Sequence, residues 1–498
     1  MKLTQSNIKL IFGLKVKQLR QSKNLSLSQL AKKAKMSISY LNEIESGKKY
    51  PKTDKISALS KALGINYDNL VSLKLNKQLA PIGELLDSNV LDQLPLDHYG
   101  IDVNKLIALL ANAPLKLNVL VSTIIEMAKR SEMSQNNFSR TALRMYKEFN
   151  ENYFPDLELA VDKFRKKYKL SQSKRITFNV LSKILKENFN YLVDDTALNH
   201  FPELRHLRAV VSTDEKPRIY LNNNLSDYQK SFILGKELAY NYLNISDRSY
   251  IYSAVSLDSF DQLLNNLNTS YFSTSLMIPG KKIINDFAKF LKRKKWDGEF
   301  LLLLLKKYNV SPEMLFQRIA SIAPKYFQLN KFFFFRFEYD LLTKNFNLTK
   351  ELRLNINQNP GGYHYGEHYC RRWISLDIIK KLDSMKKRDF NQHTIGAQIS
   401  NFIYSTNQFL SISIAKINQF NRSSYSSVTL GFKIDDDDVK NKIKFLQDLS
   451  IKIKEVNNTC ERCDLPNCKE RVIEPIMIYE ELSKEKIQKA INKLLIES

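Results

Sequence analysis

Glycine is scarce in this chain, which has 13 glycines in 498 residues against a usual share of about 7%. No GxxxxGKS, GxxxxGKT or GxGxxG sequence occurs, so the chain lacks the glycine-rich loops that hold phosphates in many nucleotide-binding folds. Long apolar runs are also missing. The longest, Phe300–Leu305 and Phe332–Phe335, are far shorter than the roughly 20 residues of a membrane helix. We therefore expect no membrane partner.

Cysteine is rarer still, with four residues. Four cysteines in a chain of this length cannot build the disulfide framework of a small secreted protein. The N-terminal segment has no apolar block ahead of a small-residue cleavage site, so it predicts no secretory signal. We expect a cytoplasmic protein. At 498 residues the chain is too long for one core, and 43% hydrophobic residues predict folded domains rather than disorder.

Positive charge is in excess, because 77 Lys and Arg against 52 Asp and Glu give a net charge of +25. The excess is concentrated, since residues 1–73 hold 14 basic and 4 acidic residues. This balance favours a polyanionic partner such as DNA or RNA. A lysine-rich bias of the whole composition is the alternative explanation.

The apolar residues of 7–73 recur at helical spacing and predict five short helices. Ser26 or Ser28 is placed to cap the second helix and Ser37 to cap the third. The segment SLSQLAKKAKMSISYLNEIESGKKYPKTDKISALSKAL, residues 26–63, resembles the Cro/CI-type (Xre-like) helix-turn-helix DNA-binding domain. The resemblance implies a DNA-binding domain that dimerises on two half-sites about 34 Å apart.

By this resemblance, residues at the start of the third helix face the major groove. The second helix begins beside a phosphate, and lysines after the third helix contact the backbone. The candidate DNA contacts are Ser28, Gln29, Ser37, Ser39, Tyr40, Asn42, Lys48 and Lys49. The alternative is that Tyr40 belongs partly to the core and that the lysines are merely solvated.

Three segments of the middle region resemble, in order, the zinc peptidases of the ImmA/IrrE type. They are RIYLNNNLSDYQKSFILGKELAYNYL (218–243), FSTSLMIP (272–279) and YNVSPEMLFQRI (308–319). In these peptidases the first helix carries HExxH, in which two histidines bind zinc and the glutamate acts as base. The resemblance implies that the peptidase fold is retained here.

The zinc ligands of that motif are replaced. Its positions read Lys236, Glu237 and Tyr240, and the third ligand position falls on Asn266. Two unit charges about 4 Å apart repel by about 4 kcal/mol at an effective dielectric near 20, and a divalent ion roughly doubles this. A protonated Lys236 therefore opposes zinc binding, and we expect a degenerate site with no catalytic residue. Lys236 and Glu237 are interpreted as an exposed or capping pair.

All four cysteines lie in the C-terminal third of the chain. Cys460, Cys463 and Cys468 have the spacing C-x2-C-x4-C, and Cys370 lies 90 residues upstream. Clustered cysteines in a cytosolic protein favour a metal over a disulfide. A four-thiolate site suits Zn2+ or an iron–sulfur cluster. The alternative is four reduced thiols, because sequence separation alone cannot place Cys370 beside the others.

Two C-terminal segments, YCRRW (369–373) and CERCDLPNCKERVIEP (460–475), resemble the cysteine domain of ScfR-type short-chain fatty acyl regulators. The resemblance implies a shared four-thiolate site and an effector of the acyl-CoA type. The chain departs from the family pattern at Arg371, where the family has proline. Apolar patterns also predict strands over Leu410–Ile414 (half-buried), Ser427–Ile434 and Phe332–Phe337, and a helix over Val439–Leu449.

Together these patterns predict an α+β fold that is predominantly α. Four regions follow: a helix-turn-helix domain (1–73), a helical connector or dimerisation region (74–150), a degenerate ImmA/IrrE-like domain (151–325) and an ScfR-like sensory domain with a cysteine knuckle (326–498). The leading hypothesis is a transcriptional regulator that binds double-stranded operator DNA as a homodimer and senses a metabolite, redox or metal state. The alternatives are a regulated peptidase and an antitoxin-like protein that binds a partner without catalysis.

Overall fold

The computed structural model describes residues 5–72, 135–171, 174–213, 216–252, 259–356, 366–385, 393–403, 405–418, 424–434 and 437–497. The chain divides into two compact units. The first is Met1–Leu143 with Ser256–Leu263, and the second is Arg144–Val255 with Leu264–Ser498. Most of the predicted connector lies outside the described residues, which resume at Gln135.

Five helices make up the described N-terminal part of the first unit, as the sequence predicted. They are α1 (Gln5–Ser22), α2 (Leu27–Lys33), α3 (Ile38–Glu45), α4 (Thr53–Leu63) and α5 (Tyr67–Val71). Each contributes apolar side chains to one small core, in which Val16, Leu41 and Leu59 are fully buried. Gly64 ends α4 in the left-handed conformation, with φ at 60°, which glycine adopts without steric cost.

The second unit begins with helices and a small sheet. The helices are α6 (Gln135–Phe149), which starts before the unit boundary, α7 (Pro155–Lys167), α8 (Phe178–Phe189) and α9 (Asp227–Tyr242). The strands are β1 (Leu192–Asp194), β2 (Ala209–Ser212), β3 (Arg218–Leu221) and β4 (Ile251–Tyr252), in the order β1-β3-β2-β4. Strands β1 and β3 are parallel, and the other pairs are antiparallel.

Four helices follow this sheet: α10 (Phe260–Met277), α11 (Gly280–Leu291), α12 (Gly298–Tyr308) and α13 (Pro312–Phe327). A second sheet is built from β5 (Phe332–Asp340), β6 (Phe346–Leu354), β7 (His393–Phe402), β8 (Gln408–Ile417), β9 (Ser424–Lys433) and β10 (Lys452–Val456). Its order is β10-β7-β8-β9-β5-β6, and only β10 and β7 are parallel. The remaining helices are α14 (Ile374–Asp383), α15 (Asp437–Lys442) and α16 (Ile476–Glu497).

Both faces of the six-stranded sheet are covered. On β5, Phe332 and Phe334 pack with side chains of α11–α13, whereas Phe333 and Phe335 pack on the other face with α14 and Trp373. This alternation is the period of two that a strand imposes on its side chains. The buried strand predicted from Phe332 is thus confirmed.

The six-stranded sheet also corrects two expectations. Strand β8 exists, but it is not half-buried, because Ser411 and Ser413 are as inaccessible as the apolar residues between them. The Thr429 hydroxyl is within hydrogen-bond distance of two other hydroxyls, that of Ser413 at 2.9 Å and that of Ser375 of α14 at 2.8 Å. The helix predicted to reach Leu449 ends at Lys442, after which the chain turns.

The α+β class, with more helix than strand, is confirmed. Within the described ranges, no helix combines the length and apolar character needed to cross a bilayer.

Candidate functional site

The α2–α3 segment is defined by local capping. Ser26 begins α2, its hydroxyl accepting from the Gln29 N–H at 3.2 Å, while the Gln29 side-chain oxygen accepts from the Ser26 N–H at 2.8 Å. Ser37 is the N-cap of α3 and accepts from the Tyr40 N–H at 3.1 Å. These bonds satisfy N–H groups that have no partner inside the helix. The sequence allowed either Ser26 or Ser28 as the N-cap of α2, and in the structure the N-cap is Ser26.

Helix α3 is fixed against α1 by a close backbone approach and a buried ion pair. A Cβ added at Gly13 would lie 2.2 Å from the carbonyl oxygen of Ile44, so only glycine fits there. Arg20 donates to both carboxylate oxygens of Glu45, at 2.7 and 2.8 Å. Hydrogen bonding to Glu45 raises the pKa of Arg20 above its usual value. The orientation of α3 is therefore set by contacts on its inner side.

The residues predicted to contact DNA lie on α2, on α3 and directly beside α3. Seven of the eight are exposed: Ser28, Gln29, Ser37, Ser39, Asn42, Lys48 and Lys49. Tyr40 is half-buried and packs against the domain core, while the Lys49 ammonium lies 5.6 Å from its ring centroid. Lys49 also pairs with Glu43 at 3.0 Å. The structure thus places the eight residues around α2 and α3, and their roles in DNA contact stay predictions.

One residue of this surface was missed from the sequence. Ile38, the first residue of α3, is 53% exposed. An exposed isoleucine is unremarkable alone, but here it lies between Ser37 and Ser39. No signal in the sequence pointed to this exposure, because Ile38 is three residues before the buried Leu41 and such spacing places both on one side of a helix.

In the second unit, the positions of the degenerate peptidase motif lie on α9. A Cβ at Gly235 would lie 2.4 Å from the hydroxyl of Ser273. At this point α9 and α10 are therefore too close to leave room for a side chain on residue 235. The Ser273 hydroxyl donates to the Phe232 carbonyl at 2.8 Å. This packing brings Lys236 to Asn266 of α10, and the lysine ammonium donates to the amide oxygen. Two of the three positions aligned with metal ligands are therefore in direct contact.

Glu237 lies at the centre of a buried polar network. Arg248 donates to its two oxygens at 2.7 and 2.5 Å. The hydroxyls of Tyr191 and Tyr252 donate to the same carboxylate at 2.8 and 3.1 Å. The Arg248 guanidinium also stacks over the ring of Tyr240, 3.8 Å from its centroid. Every oxygen lone pair suited to activating water is thus occupied by a protein donor.

The interpretation of Lys236 and Glu237 as an exposed or capping pair is wrong. Lys236 is 6% exposed, and Glu237 is fully buried. Burial, with the Lys350 and Arg248 charges adding to it, lowers the pKa of Lys236 to about 7. Deprotonation of this lysine could not be predicted from the sequence, because Lys350 belongs to a strand that is distant along the chain.

The Lys350 charge that acts on Lys236 also acts on a lysine of α6. Arg144 of α6 donates to Glu351 of β6 at 2.5 Å, which holds the two elements together and brings Lys147, one turn later, beside Lys350. Burial and the Lys350 ammonium lower the pKa of Lys147 to about 8. Lys350 bonds Glu313 at 2.6 Å.

Glu313 is the carboxylate that balances this charge in part. Burial opposes its ionisation, but the charges of Lys350, Arg336 and Arg208 together lower its pKa to about 2. We call Lys147, Arg208, Lys236 and Lys350 the cationic cluster. Its four members come from α6, the residue before β2, α9 and β6.

The cysteines meet at a second place in this unit, where two loops are hydrogen-bonded to each other. The Cys370 N–H donates to the Asn458 carbonyl at 3.1 Å, and the Cys460 N–H donates to the His368 carbonyl at 2.9 Å. The indole of Trp373 donates to the Asn457 carbonyl at 2.7 Å. Cys370 is thereby brought beside residues 90 positions away.

All four cysteines line one cavity. Cys370, Cys460 and Cys463 are buried, Cys468 is half-buried, and all four are free thiols. Burial raises the pKa of Cys370 to about 11 and raises that of Cys460. Among the residues described here, no three His, Cys, Asp or Glu side chains are arranged to hold a metal ion. The donor set fits zinc or an iron–sulfur cluster in type, and the metal stays a prediction.

Comparisons with known proteins match both regions. A family model described as helix-turn-helix matches residues 16–70, and one described as the IrrE N-terminal-like domain matches residues 194–320. Over 67 residues the chain is 40% identical to the control protein C.BamHI of Bacillus amyloliquefaciens, which covers 13% of this chain and 83% of that protein.

A solved structure, a Mycobacterium tuberculosis transcriptional regulator, is also similar. The match has a TM-score of 0.46 and 14% identity, and it covers 66% of this chain and 92% of that one. A similarity of this size does not by itself establish a common fold.

The N-terminal fold and its matches define a DNA-binding transcriptional regulator of the helix-turn-helix class. The chain belongs to the Xre-type helix-turn-helix family, and it carries an IrrE-like domain as well.

Proposed function

We propose that this chain regulates transcription by binding operator DNA as a homodimer through α3. The observation that supports this most directly is the exposure of Ser39 and Asn42 on a helix whose opposite side is locked to α1. A helix about 10–12 Å across fits a major groove about 12 Å wide. Lys48 follows α3 and is exposed, as a phosphate contact requires.

The test is a footprint of the full chain on duplexes selected by it from random sequence. We expect two protected half-sites with centres about 34 Å apart. Asn42→Ala is expected to weaken this protection, while Lys183→Gln, at an exposed lysine of α8, leaves it unchanged. Absence of any sequence-specific protection at low salt, with and without candidate effectors, contradicts the proposal.

We also propose that the IrrE-like domain has no peptidase activity. Its support is the contact of Lys236 with Asn266, where two metal ligands are expected, and the pairing of Glu237 with Arg248. The protonated form of Lys236, at the position aligned with a metal ligand, repels a divalent cation. Zn2+-dependent proteolysis that disappears in Glu237→Gln but persists in Glu187→Gln contradicts this proposal.

We infer that the larger unit senses an anionic metabolite, of the acyl-CoA type implied by the ScfR resemblance. The cationic cluster supports this, because the Lys350 charge acts on Lys147, Lys236 and Glu313 alike, and Glu313 is its partial counter-charge. A phosphate-bearing ligand relieves such repulsion.

Thermal unfolding with acetyl-CoA tests the effector proposal. A ligand at 100 times its Kd stabilises by about 2.7 kcal/mol, and we expect most of this gain to be lost in Lys350→Gln and kept in Lys183→Gln. An identical gain in stability in both variants, or no gain in the wild type, contradicts the effector site and leaves the DNA-binding proposal unaffected.

A further inference from the structure

Helix α16, the last helix, has no cover in the described part of the chain. It runs over 22 residues, Ile476–Glu497, and is therefore about 33 Å long. Every residue from Tyr479 to Lys493 is exposed. Isolated helices are marginal in water, and most helices in proteins are stabilised by packing an apolar face. We therefore expect a helix of this length, exposed on all sides from Tyr479 to Lys493, to pack against a partner.

The side of α16 that would meet a partner can be identified from its apolar residues. Ile476, Tyr479, Leu482, Ile487 and Ile491 are 46%, 54%, 48%, 58% and 43% exposed. At 100° per residue they fall within about 180° of the helix circumference, and all but Leu482 fall within about 120°. Large apolar side chains repeated along one side of an exposed helix mark an interaction surface.

The charges on α16 identify the kind of partner. Residues 476–485 have a net charge of −2, with Glu480, Glu481 and Glu485 against one lysine. Residues 486–497 have a net charge of +2, with Lys486, Lys489 and Lys493 against one glutamate. The helix dipole explains acidic and basic residues only in the first and last turns. Glu485 and Lys486 lie in the middle, so the dipole alone does not account for the segregation.

We infer that α16 packs antiparallel against α16 of a second copy of this chain. In that arrangement the acidic half of each helix lies along the basic half of the other, and the isoleucine side of each is covered. A parallel pair would place like charges together. The inference rests on the proposed homodimer and names its surface.

The strength of the contact follows from its size. Two helices about 33 Å long bury an area at or below the low end of stable interfaces, about 1,200 Å2 in total. We therefore expect a dimer with a dissociation constant in the micromolar range rather than an obligate one, and its assembly to be reinforced when both copies bind adjacent DNA half-sites.

Charge exchange tests the pairing. Sedimentation of the full chain without DNA is measured for the wild type, for Glu480→Lys with Glu481→Lys, and for Lys489→Glu with Lys493→Glu. Each double variant places like charges along both helices, and we expect its dimer dissociation constant to rise at least tenfold, that is by about 1.4 kcal/mol or more. Mixing the two variants should restore dimers of near wild-type strength.

The control matched to the Lys489→Glu and Lys493→Glu variant is Lys183→Glu with Lys186→Glu, which makes the same change in charge on the exposed side of α8. It should leave the dimer unchanged. A wild type that stays monomeric, swaps that dimerise as the wild type does, or a mixture that fails to recover each overturns the inference. If the swaps abolish the dimer as expected but no selected duplex is footprinted, the DNA proposal fails and the helix pairing stands.

Discussion

Arg248 holds both carboxylate oxygens of Glu237 inside the larger unit, through hydrogen bonds of 2.7 and 2.5 Å. Both side chains are buried, at 4% and 0% exposure. A glutamate acting as a general base needs a free oxygen within reach of a water molecule. The carboxylate is instead one half of an internal ion pair, and both of its oxygens accept hydrogen bonds from protein donors.

Glu237→Gln is therefore expected to destabilise the protein. It leaves the Arg248 guanidinium buried without a counter-charge, and breaking a buried pair from one side costs about 3–5 kcal/mol. Urea unfolding monitored by circular dichroism measures the loss. Glu187→Gln is the control, because the Lys183–Glu187 pair is exposed and such pairs contribute about 0–1 kcal/mol. Equal stability of the two variants would show that Glu237 has no structural role.

The stability of the wild type should depend on pH through Lys236. Its folded pKa is about 7 against an ordinary value of 10.5, so between these pH values the unfolded state binds more protons and stability rises with pH. Full deprotonation relieves a cost of roughly 5 kcal/mol. Lys236→Met lacks this titration, so its stability advantage should be greatest below pH 7 and shrink towards pH 10. If the stability difference between the wild type and Lys236→Met does not change with pH, Lys236 does not titrate as a buried ammonium.

Ile38 is expected to contact a thymine methyl group in the operator. Apolar side chains at the start of a recognition helix read this methyl, which uracil lacks. Replacing one thymine of the selected site by uracil should weaken wild-type binding by about 1 kcal/mol and leave Ile38→Ala binding unchanged. Titration of labelled duplexes measures both. Equal losses in the two proteins would place Ile38 away from the bases.

The four thiols are expected to bind one metal centre. Anaerobically purified protein should contain about one zinc per chain or show iron–sulfur absorption in the visible range, and Cys463→Ser should remove either. The same variant should keep its DNA footprint in the absence of effector, because the helix-turn-helix folds around its own core. Metal-free wild-type protein with four titratable thiols contradicts the prediction.

Gly13→Ala should displace α3 and, with it, the DNA-binding surface. The added methyl meets the Ile44 carbonyl, which is backbone and cannot turn aside, so α3 must move away from α1. We expect a loss of about 1–3 kcal/mol in stability and weaker footprinting. Gly366→Ala is the control, since its Cβ meets nothing within 4 Å; its φ of +95° adds only a local strain. Undisturbed binding by Gly13→Ala would argue against this packing.

The helix-turn-helix could be predicted because its signals are local. Caps such as Ser37 act within three residues, and the apolar spacing of α3 is visible in the sequence. Lys236 and Asn266, which the sequence aligns with two different metal-ligand positions, are in contact in the structure. The pairing of Glu237 with Arg248 could not be predicted, because the arginine follows the helix in a segment without a pattern. Cys370 is a similar case, since only the fold of two loops brings it to the others.

Strand β10 connects the cysteines to the rest of the molecule. It is the outermost strand of its sheet, bonded on one side only to β7, and its last residue, Val456, directly precedes the cysteine loop. An edge strand can slide or detach while the central ladder stays intact. A chemical change at the thiols can therefore be transmitted by displacing β10, because only the hydrogen bonds between β10 and β7 have to break.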